Sequence, residues 1–210
     1  MSDDLSEVTR GRVERVSAAS IVPMALGLAL VVPSAVIAAS GEVPGWEQAV
    51  FRAINGLPEA IRPVFDSMQL LGVLGLPLLV AVVAAFLRKW RLALALVLLP
   101  PLKLLVERQV LKALVERGRP GQTEPEVILR DVPEVGLSFP SGHTIIALGV
   151  ATLLAPYLRR PWQIVVFGIA VLVCIARVYL GAHNPLDTIA GAGAGLFLGG
   201  LLTLVVGVRR

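Results

Sequence analysis

Three stretches of this chain, 18–40, 67–87 and 188–208, run for more than twenty residues without a charged side chain. Crossing the hydrocarbon of a bilayer as a helix takes roughly 20 residues. Inside lipid every peptide group must be bonded within the protein, which leaves only helices and closed barrels. Continuous apolar runs of this length, without the alternation of barrel strands, predict an all-α polytopic membrane protein. The chain is 56% hydrophobic and 16% charged, against about 25% charged residues in ordinary soluble domains. Its 210 residues leave no room beside the bundle for a soluble domain of usual size. One integral-membrane domain, residues 1–210, is the expected organisation, and the first run, too long for a signal-peptide core, is expected to stay in the mature chain.

Six spans are predicted, at 18–40, 67–87, 92–106, 144–158, 161–180 and 187–208. The shorter fourth and fifth gain length from moderately polar flanks. In the third, Pro100 and Pro101 interrupt the pattern, and "VERQVLKALVERG" can extend it as a helix protruding into water. The 19 basic residues form no patch of the kind that binds nucleic acid. They collect in short connections instead: Arg10, Arg12 and Arg15 before the first span, Arg88, Lys89 and Arg91 in the second connection, Arg159 and Arg160 in the fourth, Arg209 and Arg210 at the end. With six spans these lie on one side, which the positive-inside rule makes cytoplasmic, together with both termini. A multi-pass cell-membrane protein is expected. The outward segment 41–66 places Val50, Phe51, Ile54, Leu57 and Ile61 at helical spacing against Glu47, Arg52, Glu59 and Arg62. One or two amphipathic helices at the interface, or packed on the bundle, are predicted there.

The same topology puts the end of the third span, the start of the fourth, the end of the fifth and the start of the sixth at one face. "KALVERGRP", "PSGH" and "RVYLGAHNPLD" occupy those places. Charged groups at a membrane edge are costly unless paired or wetted. Each has an ordinary structural reading when taken singly: Lys112 as a solvated helix residue, Arg119 as a turn residue, Ser141 as a cap, Arg177 as a snorkelling anchor. Together they compose a site. Lys112, Arg119 and Arg177 suit a tetrahedral oxyanion, which arginine forks match. Ser141 and Gly142 fall at the expected start of a helix, whose free N–H groups attract anions.

The only two histidines, His143 and His183, fall in these segments. Phosphate-ester hydrolysis needs a nucleophile and an acid for the leaving oxygen. Asp187, four residues after His183, is placed to accept a ring N–H bond and orient it, so His183 is read as nucleophile and His143 as acid. Asn184 is expected to cap, and Pro185 to open, the sixth helix. No set with metal-ligand spacing appears, and the cations supply the charge a metal would bring, so no cofactor or metal is expected. Cys174, the single cysteine, is read as packing filler.

Lys112 with Arg119-Pro120, then Pro140-Ser141-Gly142-His143, then Arg177, His183 and Asp187 resembles the three-part signature of the type-2 phosphatidic acid phosphatase superfamily. The resemblance implies a six-helix membrane phosphatase acting on lipid phosphates or pyrophosphates through a phosphohistidine, without metal. In that reading Lys112, Arg119, Ser141, Gly142 and Arg177 bind phosphate, His143 protonates the leaving group, His183 attacks and Asp187 orients it. The family often has serine where this chain has Ala176. Polyprenyl pyrophosphate is the substrate expected first by analogy, phosphatidic acid or phosphatidylglycerol phosphate next. Rival readings are a phosphotransferase, a vanadate haloperoxidase, which short loops disfavour, and a lipid-phosphate carrier, which needs no nucleophile. Gly191, Gly195 and Gly199 recur every four residues, a bare face for packing on a neighbouring helix or, alternatively, for a homodimer contact.

Overall fold

The structure is a computed structural model; it describes the backbone of residues 2–208 and the side chains of 20–208. The side chains of Arg10, Arg12 and Arg15, and all of Arg209 and Arg210, on which the orientation partly rests, lie outside the described residues. The chain folds into helices α1 (Ser2–Ala38), α2 (Gly45–Asn55), α3 (Arg62–Gln69), α4 (Gly75–Phe86), α5 (Trp90–Leu104), the short α6 (Lys112–Leu114) and α7 (Pro120–Thr123), then α8 (Gly142–Leu154), α9 (Arg160–Tyr179) and α10 (Pro185–Val206). Among the described residues the only β pairing is an isolated bridge between Gly118 and Leu137.

Helix α8 is the centre of the bundle. It is apolar all round and buries every residue from Thr144 to Leu153, as a helix enclosed by others must. Helices α5, α9 and α10 surround it, α1 lies along α10, and α4 pairs with α5. The main core joins Leu96 and Leu99 of α5, Ile145, Ile146 and Leu153 of α8, and Leu198 and Leu202 of α10. The glycine face of α10 packs inside this bundle. Methyl groups built on Gly191, Gly195 and Gly199 would lie 2.6 Å from Ser141 O, Ile145 O and Thr152 Cβ of the α8 segment. Only bare glycines allow so close a crossing.

By length and composition Ser20–Ala38, Arg160–Tyr179 and Pro185–Val206 are long and apolar enough to cross a membrane. The expected span 67–87 is not one straight helix: it breaks after Gly72, and its two limbs, Glu59–Gly72 and Gly75–Phe86, meet at 66°. Counted as one broken span, that pair makes a fourth. Helix α8 and its last 3-10 turn, Gly142–Tyr157, are apolar but shorter. Pro100 and Pro101 do not end the third run. The helical path continues from Trp90 to Leu114, widening into a π-helix at Leu105–Leu111 just after the pair. A π-helix is rare and, where one interrupts an α-helix, often sits at a functional site.

The segment 41–66 forms α2, a 3-10 turn and the start of α3. Glu47, expected on the polar face of α2, is fully buried, whereas Trp46 and Val50 are exposed. The reason is a buried cation facing it from the loop before α7, described below. The long connection 124–141 is held against these helices by Arg130, which donates to Glu59 Oε2, Asn55 O and Tyr179 O and stacks over the Tyr179 ring at 4.0 Å.

Candidate active site

The four chain ends that the topology places together are tied by named bonds. Ser141 N donates to Asp187 O at 2.9 Å, joining the start of α8 to the first turn of α10. That amide is therefore spent, and the Ser141 side chain makes no capping bond. Its Oγ accepts from Thr144 Oγ1 at 3.1 Å. The N–H groups of Gly142, His143 and Thr144 are left as the unpaired donors of the helix start.

Gly142 is a point of close approach. A methyl group there would lie 2.6 Å from Lys103 Nζ and 2.9 and 3.0 Å from the Glu107 carboxylate oxygens. Glu107 is buried between Lys103 and Lys112, with Lys112 Nζ at 2.9 Å from its Oε1. Lys112 thus reaches the site through a carboxylate that the sequence reading left out, alongside a second lysine that it also left out. Their signal was present: Lys103 and Glu107 are charges four residues apart at a predicted membrane edge, where neither is stable unpaired.

The turn after α9 carries the nucleophile candidate. Gly181, at φ +78°, reverses the chain, and the amides of Ala182 and His183 donate back to Arg177 O at 3.0 and 3.2 Å. Arg119 Nη1 donates to Ala182 O at 2.9 Å, so a second guanidinium grips the same turn. Arg177 is itself held by Gln69 Oε1, at the end of α3. Gln69 is the one carboxamide in the run 67–87, a polar group inside an apolar run that needed a partner. Ala176 is fully buried in an apolar cluster with Phe65, Tyr179 and Leu180, so the absent serine hydroxyl is replaced by packing.

His183 Nδ1 stands 3.7 Å from Asp187 Oδ2, an ion-pair contact longer than the hydrogen bond that the spacing predicts. The carboxylate has competing donors: Asn184 N at 2.8 Å on Oδ2 and Arg117 Nη1 at 3.3 Å on Oδ1. Asn184 shares the start of α10 with Pro185, as expected, but its side chain donates to Thr123 Oγ1. Burial pushes the His183 imidazolium down to about 4, with the Asp187 carboxylate opposing and the Arg177 and Arg119 charges assisting. The ring is therefore neutral near neutral pH, the form that can attack.

His143 packs against the break in the second apolar run. A methyl group on Gly72 would lie 2.6 Å from His143 Cβ and 2.8 Å from its carbonyl oxygen. Burial pushes the His143 imidazolium down to about 3, with the Arg177, His183 and Lys103 charges assisting and the Glu107 carboxylate opposing, so this ring too is neutral near neutral pH. The structure thus gathers all eight predicted residues at one end of the bundle. It adds Lys103, Glu107, Gln69, Arg117 and Glu47, the last two as a fully buried ion pair.

A model of the PAP2 superfamily matches residues 88–210, more than half of the chain. The chain belongs to the PAP2 superfamily. Its sequence is 37% identical over 100 residues to phosphatidylglycerophosphatase B of Bacillus subtilis, covering 43% of this chain and 46% of that protein. To the undecaprenyl-diphosphatase of Sulfolobus acidocaldarius it is 38% identical over 86 residues, 40% of each. The chain therefore matches less than half the length of both these relatives. Among solved structures, a transmembrane PAP2-type phosphatidylglycerolphosphate phosphatase from Bacillus subtilis superposes with a TM-score of 0.67 at 26% identity, over 86% of this PAP2 chain and 94% of that one. With its apolar helices, this PAP2 protein is an integral membrane protein.

Proposed function

We propose that the chain is a membrane lipid phosphatase that cleaves the phosphate or pyrophosphate ester of a lipid through a phosphohistidine at His183. The observation that carries this reading is the single turn holding Arg177, His183 and Asp187 together, with Arg119 bonded to the same turn. A neutral imidazole facing a carboxylate on Nδ1 has Nε2 left for attack, and guanidinium groups beside it neutralise the phosphoryl oxygens.

In the first step His183 Nε2 bonds to phosphorus, the bond from phosphorus to the lipid oxygen breaks, and that oxygen takes a proton from His143, whose charged form the bound phosphate anion favours by offsetting the surrounding cations. In the second, water attacks the phosphohistidine, His143 takes its proton, the P–N bond breaks and phosphate leaves. Arg119, Arg177 and Lys112, with Ser141 Oγ and the first amides of α8, hold the phosphoryl group, while Asp187 stabilises the His183 cation. Fixed cations supply the charge stabilisation, so the reaction we propose needs no metal.

Polyprenyl pyrophosphate is the favoured substrate, by analogy with the undecaprenyl-diphosphatase relative. Phosphatidic acid or phosphatidylglycerol phosphate is the alternative, by analogy with the phosphatidylglycerophosphatase. We read the bundle as six spans in the cell membrane, with the site on the extracytoplasmic face and both termini inside. Phosphate release from these three lipids in detergent, with and without chelator, tests the chemistry. Activity that survives His183→Ala, or that chelator abolishes, would refute it. Single cysteines placed at Asp131 and Arg88, with Cys174→Ser, test the sidedness: only the first should react with an impermeant label in intact cells, and the reverse pattern would overturn the orientation.

A further inference from the structure

Beside the reacting groups lies a charge cluster that is fully buried. Arg117, Glu47 and Asp187 are each 0% exposed. Arg117 Nη1 donates to Glu47 Oε1 at 3.0 Å and to Asp187 Oδ1 at 3.3 Å. Its Nη2 donates to Glu47 Oε2. Glu47 Oε1 also accepts from Leu186 N at 2.8 Å, so α2 is fastened directly to the first turn of α10. Glu47 lies outside the matched region 88–210.

Two carboxylates share one guanidinium here, and all three groups are buried away from solvent. Asp187 has one oxygen on Arg117 and turns the other toward Asn184 N and the His183 ring. A buried charge of this kind persists only when paired, and removing one partner strands the other. Arg117 thus fixes which Asp187 oxygen faces the ring and how much of the carboxylate charge that ring feels.

We propose that Arg117 is a positioning residue for the nucleophile, dividing the Asp187 charge between itself and His183, and that Glu47 on α2 sets how much of Arg117 is left for Asp187. This assignment rests on the phosphatase reading for its consequence in turnover, though not for its electrostatics. The groups facing His183 are Asp187 from α10, Arg177 from α9, Arg119 from the loop before α7, and His143 from α8. Asp187 faces Arg117 and Arg119, and Glu47 faces Arg117 and Glu124. Burial works against the Arg117 guanidinium, but the Glu47 bond and the two carboxylate charges outweigh it and hold the group above its usual range.

Since the chain has two histidines, ring resonances of the full-length protein in detergent micelles can be followed through a pH titration, with His143→Gln giving the assignment. Replacing both charges, Glu47→Gln with Arg117→Gln, leaves neither new amide facing an unpaired charge of the other and gives His183 the whole Asp187 charge. Its titration should rise by about one pH unit. Glu47→Gln alone frees Arg117 for Asp187 and should move His183 the other way. Glu47→Asp, which keeps the charge, should restore native behaviour. An unchanged His183 in the double variant, or a shift of the same sign in both, would overturn the proposal. Should the double variant not fold, an unmoved or raised His183 in Glu47→Gln decides against it alone. A native protein that releases no phosphate from any lipid sinks the phosphatase reading, whereas the ring titration still decides the positioning.

Discussion

The corner after Gly72 makes a sharp claim about catalysis. If the break in the second apolar run exists to seat His143, a single methyl group there should damage turnover without damaging insertion. A methyl on Gly72 would lie 2.6 Å from His143 Cβ, 2.8 Å from its carbonyl oxygen and 2.9 Å from its Cα. Ordinary contact begins at 3.4 Å, so His143 or the corner must retreat by about 0.8 Å, and two of the three atoms are backbone that cannot swing aside. Such overpacking costs roughly 1–3 kcal/mol of stability. A displacement near 1 Å of a reacting group can cost about 100-fold in rate, roughly 2.7 kcal/mol of transition-state stabilisation. Gly72→Ala should therefore lower kcat/KM for lipid phosphate release by about two orders of magnitude, with expression and monodispersity in detergent close to native. Gly75, in the same corner, is the control, because a methyl there meets nothing within 4 Å. Gly75→Ala should stay within a few-fold of native. Equal activity in the two variants, high or low, would refute the assignment of the corner to His143.

Three further outcomes follow from the site. In the mechanism we propose His183 attacks as the neutral ring, so with its ionisation depressed to about 4 its contribution to activity is present above that pH and lost as pH falls through it. The acid limb of kcat/KM should lie near pH 4, and a limb near 6.5 would show that burial does not control the ring. His143→Asn should abolish cleavage of lipid esters while sparing the first-turnover release of p-nitrophenol from p-nitrophenyl phosphate to within about tenfold, since that leaving group needs little protonation and the base step comes later; equal losses on both would remove His143 from the role of acid. Gln69→Ala removes the partner of the Arg177 guanidinium, a bond to a charged group worth about 1.5–3 kcal/mol. Inhibition by inorganic phosphate should weaken about tenfold or more, and unchanged inhibition would mean that Gln69 does not hold Arg177 in place.

What the amino-acid order reveals here, and what it hides, separates along one physical line. The proposed phosphate-binding groups are cations and rings in an apolar chain, where each charge demands an explanation, so the gathering of Lys112, Arg119, Arg177, His143 and His183 at one end of the bundle was legible from composition and topology. The orienting groups were harder, because their meaning lies in a partner remote in sequence. Glu47 reads as one polar position on an amphipathic helix until Arg117, 70 residues on, is seen to bury it. Gln69 reads as a tolerated polar residue in a span until Arg177, 108 residues on, is found against it. The break after Gly72 was hidden for the same reason. "LGVLGLP" fits an apolar helix by periodicity, and only the backbone of α8 pressed against that glycine makes a corner the lower-energy solution. Helix α8 explains why these hidden partners collect in one place. Its body from Thr144 to Leu153 is enclosed while Gly142 and His143 at its first turn are half-buried, so the charged groups there sit at the rim of an apolar bundle and are matched by residues from the surrounding helices. The apolar runs set the number and placing of the helices, but the pairing of buried charges at the mouth of α8 sets how they bend there. The second run departs from a straight span where Gly72 meets the backbone of α8 at that same mouth.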